Sequence, residues 1–190
     1  MTLLLQLLWL ALPVIVSGLV HLVVLKLDLW PALRRRPIDG GATCRGRRVF
    51  GDNKTWRGVL VTVGAMSATA WLLAGLSDCC VHIPPLVPFA AEHPLLWGLL
   101  LGAGYIAGEL PNSFAKRQLG IAPGALGAGA PGRVFWVVDQ LDSLAGMLLM
   151  TWPVWQPPAS LVLLLAAVML VAHPLGAWFM VLAGLKTRIG

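Results

Sequence analysis

Apolar segments long enough to cross a lipid bilayer recur along this chain and decide its fold class. A helix needs roughly 20 apolar residues to span the ~30 Å hydrocarbon core, and the sequence supplies about five such segments. The composition agrees, because 58% of the 190 residues are hydrophobic and only 12% are charged, far from the balance of a soluble domain. The sequence therefore predicts an all-α, polytopic membrane helix bundle that forms a single domain over residues 1–190. The spans are expected at residues 3–25, 58–76, 94–110, 133–152 and 159–185.

The basic residues predict how these spans are oriented. Nine of the 14 Lys and Arg residues lie between Lys26 and Arg57, and a five-span arrangement puts all 14 on one side of the membrane. Positive charge is retained in the cytoplasm, so cytoplasmic loops are expected at residues 26–57 and 111–132, with the N-terminus outside and the C-terminus inside. The first span lacks the marks of a cleaved signal peptide and is expected to be retained. We attribute the net charge of +6 to orientation and to anionic headgroups, and expect no nucleic-acid partner.

Two aspartates interrupt the fourth apolar segment. Asp139 and Asp142 are three residues apart and so share one face of a helix. Carboxylates this close repel one another near a membrane unless a cation neutralises them. Magnesium fits, since proteins usually hold it with one or two carboxylates while phosphates and waters complete its octahedron. The alternative is a structural ion bridge to Arg117 or Arg133.

A second polar cluster follows the third span. Glu109 lies at the cytoplasmic end of that span, and an ionisable residue at membrane depth is a functional candidate. If the segment stays helical, Ser113, Lys116 and Arg117 share a face and hold a phosphate between them. The glycine- and proline-rich stretch 119–132 cannot form a regular helix in lipid. It is either a flexible linker or a mobile cover over a polyphosphate.

The residues before the second span form a third polar stretch. Residues 45–58 mix basic side chains with glycines that let a backbone approach a phosphate closely. A pure topology signal is the alternative, and we favour a functional role. The polar stretches 45–58, 109–117 and 139–142 meet at one cytoplasmic face in the five-span arrangement.

The polar motifs resemble those of the cytidylyltransferases that make CDP-activated lipids. That family carries G-D, then S-x-x-K-R, then D-x-x-D-S. The matching residues here are Gly108-Glu109, Ser113-x-x-Lys116-Arg117 and Asp139-x-x-Asp142-Ser143. Residues 50–58 and 116–124 are more similar to the small five-span branch of the family, CDP-archaeol synthase and its bacterial relatives.

The resemblance implies an activity and a set of site residues. The activity is transfer of CMP from CTP to a lipid phosphate, either archaetidic-acid-like or phosphatidic acid, giving a CDP-lipid and pyrophosphate. The implied catalytic residues are Lys116, Arg117, Asp139 and Asp142. The implied residues for CTP or lipid phosphate are Asn53, Lys54, Arg57, Asn112 and Ser113. The cofactor is Mg²⁺, held by Asp139 and Asp142 with Glu109 as a further candidate ligand.

Departures from the family pattern leave alternatives open. Glu109 stands where an aspartate is usual, and the K-D and H-G-G motifs of the larger bacterial enzymes are missing, which favours the archaeol-type branch. A CTP-dependent polyprenol or dolichol kinase is a second reading, and a non-catalytic membrane scaffold or transport subunit is a third. The small residues of the second span permit a homodimer without requiring one.

Overall fold

The structure is a computed structural model that describes residues 2–79, 86–87, 93–125, 127–182 and 184. The described part is mostly helical, as predicted, with one short β-hairpin. Its helices are α1 (Thr2–Lys26), α2 (Pro31–Arg34), α3 (Trp56–Cys79), α4 (Pro94–Gln118), α5 (Gly129–Thr151) and α6 (Ala159–Leu182). The hairpin pairs β1 (Thr43–Cys44) with β2 (Arg47–Arg48) in antiparallel register.

Four of the described helices are long and apolar enough to cross a membrane, namely α1, α3, α5 and α6. The prediction of a multi-pass helical membrane protein is therefore confirmed. Helix α4 has 25 residues, which gives it a spanning length of about 37 Å, but its C-terminal part carries Glu109, Lys116 and Arg117. The span count of five and the orientation of the termini stay predictions.

The non-helical connection between α4 and α5 lies within the loop expected at residues 111–132. Residues 111–118 continue α4, and α5 begins at Gly129, so the connection covers only residues 119–128. Pro111 lies inside α4, which membrane helices tolerate because neighbouring groups satisfy the freed carbonyl. Asp139 lies ten residues into α5, or about 15 Å along its axis. The aspartate pair is thus in the interior of its helix.

Glycines let α4 pack closely between α3 and α5. A Cβ added to Gly98 would lie 2.1 Å from the Cα of Ser67, and one added to Gly102 would lie 2.7 Å from the Cα of Val63. Backbones approach this closely only where small residues meet, which is the usual way in which membrane helices associate. The buried apolar residues around this contact include Met66, Ala70, Leu73, Trp97, Leu101, Leu144 and Met147.

The segment between α1 and α3 is folded back over the end of α4. The Ile38 N–H donates to the Lys54 carbonyl at 2.8 Å, and the Trp56 N–H donates to the Arg36 carbonyl at 3.0 Å, so the two ends of the segment run side by side. Arg47 donates to the carbonyl of Gln118, the last residue of α4. This contact brings residues 50–54 next to the C-terminal turns of α4.

Candidate active site

A polar pocket of about 220 Å³ lies where the 50–54 segment, α4, α5 and α6 meet. Nine of the ten site residues predicted from the sequence line it. They are Asn53, Lys54, Glu109, Asn112, Ser113, Lys116, Arg117, Asp139 and Asp142.

Antiparallel packing of α4 against α5 brings the two halves of this pocket together. Gly104 lies against Met147, Gly108 lies against Asp142, and Lys116 reaches Asp139. The two helices thus run in opposite directions along their contact. The last turns of α4 consequently face the aspartate pair of α5. The close glycine contact between the two helices makes this possible.

The aspartate pair is held by two side chains of α4. The Asn112 amide Nδ2 donates to Asp139 Oδ1 at 2.6 Å and to Asp142 Oδ2 at 2.7 Å. The Lys116 ammonium donates to both oxygens of Asp139, at 2.5 and 2.6 Å. Among the described residues, the ion bridge to this pair therefore comes from Lys116 and not from Arg117 or Arg133.

The oxygen atoms around the aspartate pair are suitable ligands for a hard cation. The Asn112 amide oxygen Oδ1 is buried and has no hydrogen-bond partner within the described part of the chain, although its amide nitrogen bridges both carboxylates. An amide oxygen beside two carboxylates is the oxygen-rich environment that Mg²⁺ prefers, with substrate phosphates and waters as the other ligands. Nowhere in the described residues do three or more His, Cys, Asp or Glu side chains form a metal cluster. The protein alone thus supplies a partial ligand set.

Arg117 is a buried cation that lacks an anionic partner in the described structure. Its side chain is 8% exposed, and Nη2 donates to the Ala122 carbonyl at 3.1 Å. Its Nε and Nη1 atoms are buried without a hydrogen-bond partner among the described residues. A buried charge is costly unless it is paired. Arg117 therefore has hydrogen-bond donors that no described residue satisfies.

Lys54 and Glu109 form an ion pair across the pocket. Lys54 comes from the segment before α3 and Glu109 from α4, so the pair joins two elements far apart in sequence. The Ser143 hydroxyl also donates to Glu109 Oε1, at 3.4 Å. The Glu109 carboxylate thus contacts a lysine in this structure, whereas the sequence made it a candidate metal ligand.

Arg57 is the one predicted site residue that does not line the pocket. Its Nη1 donates to Asp28 Oδ1 at 2.9 Å and to the Leu29 carbonyl at 3.2 Å, and its side chain is 8% exposed. Arg57 lies in the first turn of α3 and Asp28 just after α1. The ion pair therefore connects two helices, and its place in the fold does not support substrate contact.

Several lining residues were not assigned from the sequence. Trp136 and Gln140 share the pocket-facing side of α5 with Asp139, and helical spacing alone would have found them. Phe50, Gly124 and Ala125 line the pocket from the loops. Pro174 and Ala177 of α6 complete the wall, and no local pattern connects them to the charged motifs.

Comparison with known proteins agrees with this architecture. The family model described as "CarS-like: CDP-archaeol synthase" matches residues 1–188. The CDP-archaeol synthase of Pyrococcus furiosus is 37% identical over 145 residues, which cover 75% of this chain and 74% of that protein. A solved structure of an intramembrane enzyme for archaeal membrane lipids biosynthesis superposes with a TM-score of 0.61 at 28% identity, covering 89% of this chain and 90% of the other.

Some relatives match over a smaller part of their length. The CDP-archaeol synthase of Methanosphaerula palustris is 35% identical over 116 residues, or 60% of this chain. The match spans 61% of that relative, which is less than two thirds of its length.

Proposed function

Since the chain belongs to the CarS-like, CDP-archaeol synthase family, we propose that it is a membrane cytidylyltransferase. It transfers CMP from CTP to a lipid phosphate and releases pyrophosphate and a CDP-lipid. The observation that supports this most strongly is that Arg117, whose Nε and Nη1 are buried without a partner among the described residues, lines the same pocket as the Asp139 and Asp142 carboxylates. One pocket thus offers a cation for phosphate oxygens and carboxylates for a metal.

The reaction needs positioning and charge neutralisation more than covalent help from the protein. A phosphate oxygen of the lipid attacks the α-phosphorus of CTP, and the bond from that phosphorus to the oxygen bridging to the β-phosphate breaks. Pyrophosphate leaves with the electron pair of that bond. The nucleophile is already anionic at neutral pH, so no general base is required. Transfer at phosphorus is accelerated chiefly by orientation and by preorganised charges.

The basic residues of the pocket are assigned to the phosphates. The planar guanidinium of Arg117 suits two phosphate oxygens at once, and its Nε and Nη1, which no described residue satisfies, are assigned as the donors. Lys54 and Lys116 are each paired with a carboxylate in this structure. When a polyphosphate enters, each ammonium exchanges or shares that partner with a phosphate oxygen. Asn112, Ser113 and Asn53 supply uncharged donors along the same wall.

Asp139 and Asp142 are assigned to hold Mg²⁺. Their carboxylates and the buried Asn112 Oδ1 fit such an ion. When bound, the ion neutralises the CTP phosphates and stabilises the charge that develops on them. The Lys116 ammonium contacts the Asp139 carboxylate in the structure, so it orients that carboxylate before substrate arrives. Glu109 is assigned to Lys54 instead of to the metal.

The lipid substrate and the membrane side are further parts of the proposal. Pro174 and Ala177 of α6 line the pocket, so an apolar helix borders the charged residues and a lipid phosphate can remain near its acyl or isoprenoid chains. The family favours an isoprenoid ether lipid. The basic residues of the 26–57 segment favour a cytoplasmic pocket, open to CTP, in the cell membrane.

A product assay tests the proposed reaction. Purified protein is incubated with Mg²⁺ and α-labelled or γ-labelled CTP. The acceptor is an ether-linked isoprenoid lipid phosphate, an ester-linked lipid phosphate or, in a separate arm, a polyprenol. The expected outcome is label from the α position in a CDP-lipid and label from the γ position in pyrophosphate. A lipid kinase would instead move the γ label onto a polyprenol and leave CDP. A scaffold would bind no CTP and release neither product, and that result would overturn the proposal.

A further inference from the structure

Asp39 lies outside the pocket, and its buried carboxylate accepts several hydrogen bonds from one loop. Its side chain is 2% exposed. Oδ2 accepts the backbone N–H groups of Phe50 at 2.9 Å and Gly51 at 3.4 Å. Oδ1 accepts the Gly41 N–H at 3.0 Å and Arg48 Nη2 at 2.7 Å. A single side chain thus fixes residues 41, 48, 50 and 51 relative to one another.

Two of these donors lie in the backbone at the edge of the pocket. Phe50 lines the pocket. Gly51 lies close to α4 and to the loop after it, because an added Cβ would be 3.1 Å from Pro123 Cγ and 3.4 Å from Arg117 Nη1. Gly51 also has φ +100°, which other residues rarely adopt. The placement of this backbone therefore determines how closely Arg117 Nη1 is covered.

We propose that Asp39 is a positioning residue that sets the shape of the anion-binding wall around Arg117. The hydrogen bonds that Asp39 accepts from two successive backbone N–H groups hold Gly51 against Arg117, at the point where the polyphosphate of CTP would enter. Charge-assisted bonds are stronger than neutral ones, and binding groups must be held within about 0.5 Å to be effective. The assignment of the ligand as CTP rests on the proposed function, whereas the control of the loop by Asp39 does not.

Asp39 contacts neither Asp139 nor Asp142, so its loss should weaken ligand binding more than the chemical step. In Asp39→Asn, one oxygen is replaced by an NH₂ group that faces backbone N–H donors or Arg48. We expect the KM for CTP to rise about tenfold while kcat stays within about twofold. Asp52→Asn is the matched control, because Asp52 also pairs with Arg48 but its side chain is 80% exposed. Its kinetic constants should equal those of the wild type.

Amide hydrogen exchange separates this inference from the proposed reaction, because it needs no substrate. The Phe50 and Gly51 amides should exchange at least about tenfold faster in Asp39→Asn than in the wild type or in Asp52→Asn. Equal exchange rates at these two amides, or a fall in kcat with an unchanged KM, would overturn the role of Asp39. If these amides exchange faster in Asp39→Asn but the wild type makes no CDP-lipid, the role of Asp39 would stand and the proposed reaction would be rejected.

A second variant covers the case in which Asp39→Asn does not fold. Arg48→Gln removes one donor and leaves the three backbone hydrogen bonds of Asp39, so the KM for CTP should rise by a smaller factor of about three. An unchanged KM in Arg48→Gln, combined with unprotected Phe50 and Gly51 amides in the wild type, would also overturn the inference.

Discussion

Gly108 of α4 lies against Asp142 of α5 so closely that a Cβ added to the glycine would be 2.1 Å from the Asp142 carbonyl oxygen. This contact holds the two helices at the separation at which Asn112 reaches both carboxylates. Gly108→Ala must push α5 away from α4, since both contacting groups are backbone. A displacement of about 1 Å at a reacting centre can cost about 10²-fold in rate. We expect CDP-lipid formation to fall by at least about 100-fold.

Gly64→Ala is the matched control for this change. Gly64 also lies inside a helix, but an added Cβ there would meet nothing within 4 Å. Alanine favours a helix over glycine by about 1 kcal/mol, so this variant should keep full activity. Comparable losses of activity in the two variants would show that the Gly108 contact has no special part in forming the site.

Arg117 and Arg57 are both buried arginines, and they should respond oppositely to removal of charge. Arg117 has unpaired donors, so Arg117→Met should remove an uncompensated charge and raise the melting temperature of the ligand-free protein while activity is lost. Arg57 donates to Asp28 and to the Leu29 carbonyl, so Arg57→Met should remove both hydrogen bonds and lower the melting temperature, by an amount equivalent to about 1–2 kcal/mol. Thermal unfolding in detergent without CTP measures both.

The opposite ranking of these melting temperatures would contradict the assignment of Arg117 to an anionic ligand. Arg117→Lys adds a check on geometry, because lysine keeps the charge but lacks the fork. Its kcat/KM for CTP should fall by about 10–100-fold.

Asp142 and Glu109 should differ in how they affect the magnesium requirement. Asp142 is assigned to the ion and Glu109 to Lys54. Asp142→Asn should lower kcat by about 10³-fold or more and raise the Mg²⁺ concentration for half-maximal activity. Glu109→Gln should leave that Mg²⁺ concentration unchanged and raise the KM for CTP by about three- to tenfold, because Lys54 loses its orienting partner. Titration of activity with MgCl₂ distinguishes the two variants. A higher Mg²⁺ concentration for half-maximal activity in Glu109→Gln would indicate that Glu109 is a metal ligand.

Asp39 should make stability depend on pH in the acid range. Burial opposes ionisation of its carboxyl, but the hydrogen bonds from Phe50, Gly41, Arg48 and Gly51 outweigh burial and lower its pKa from 3.8 to about 2. A lowered pKa in the folded state stabilises the protein at pH values above about 4, and the contribution is lost as the pH falls through about 2. The melting temperature of the wild type should therefore exceed that of Asp39→Asn at pH 5 and approach it near pH 2. Asp52→Asn should follow the wild type throughout, and parallel curves for wild type and Asp39→Asn would contradict the prediction.

Many of the site residues could be predicted from local sequence, because helical spacing places their side chains on one face of a helix. The separation of Asp139 from Asp142 fixes both on one face of a helix, and the same holds for Ser113 and Lys116 once α4 is known to continue. The extent of α4 was not predicted, because Pro111 and the following polar residues resemble a helix end. The non-helical connection at 119–128 lies within the loop predicted at 111–132, and the membrane boundaries of that loop stay a prediction.

The sequence by itself determined that this chain is a helical membrane protein and which residue types are available for phosphate and metal, because apolar length and residue spacing are local properties. Tertiary structure decided which of those charges face one another. Arg57 and Lys54 are three residues apart, yet one pairs with Asp28 and the other with Glu109 across the pocket. Which charges pair depends on where the backbone packs closely against another element, as Gly108 does against α5 and Gly51 does against Arg117. Such approaches join residues distant in the chain, and only packing fixes them.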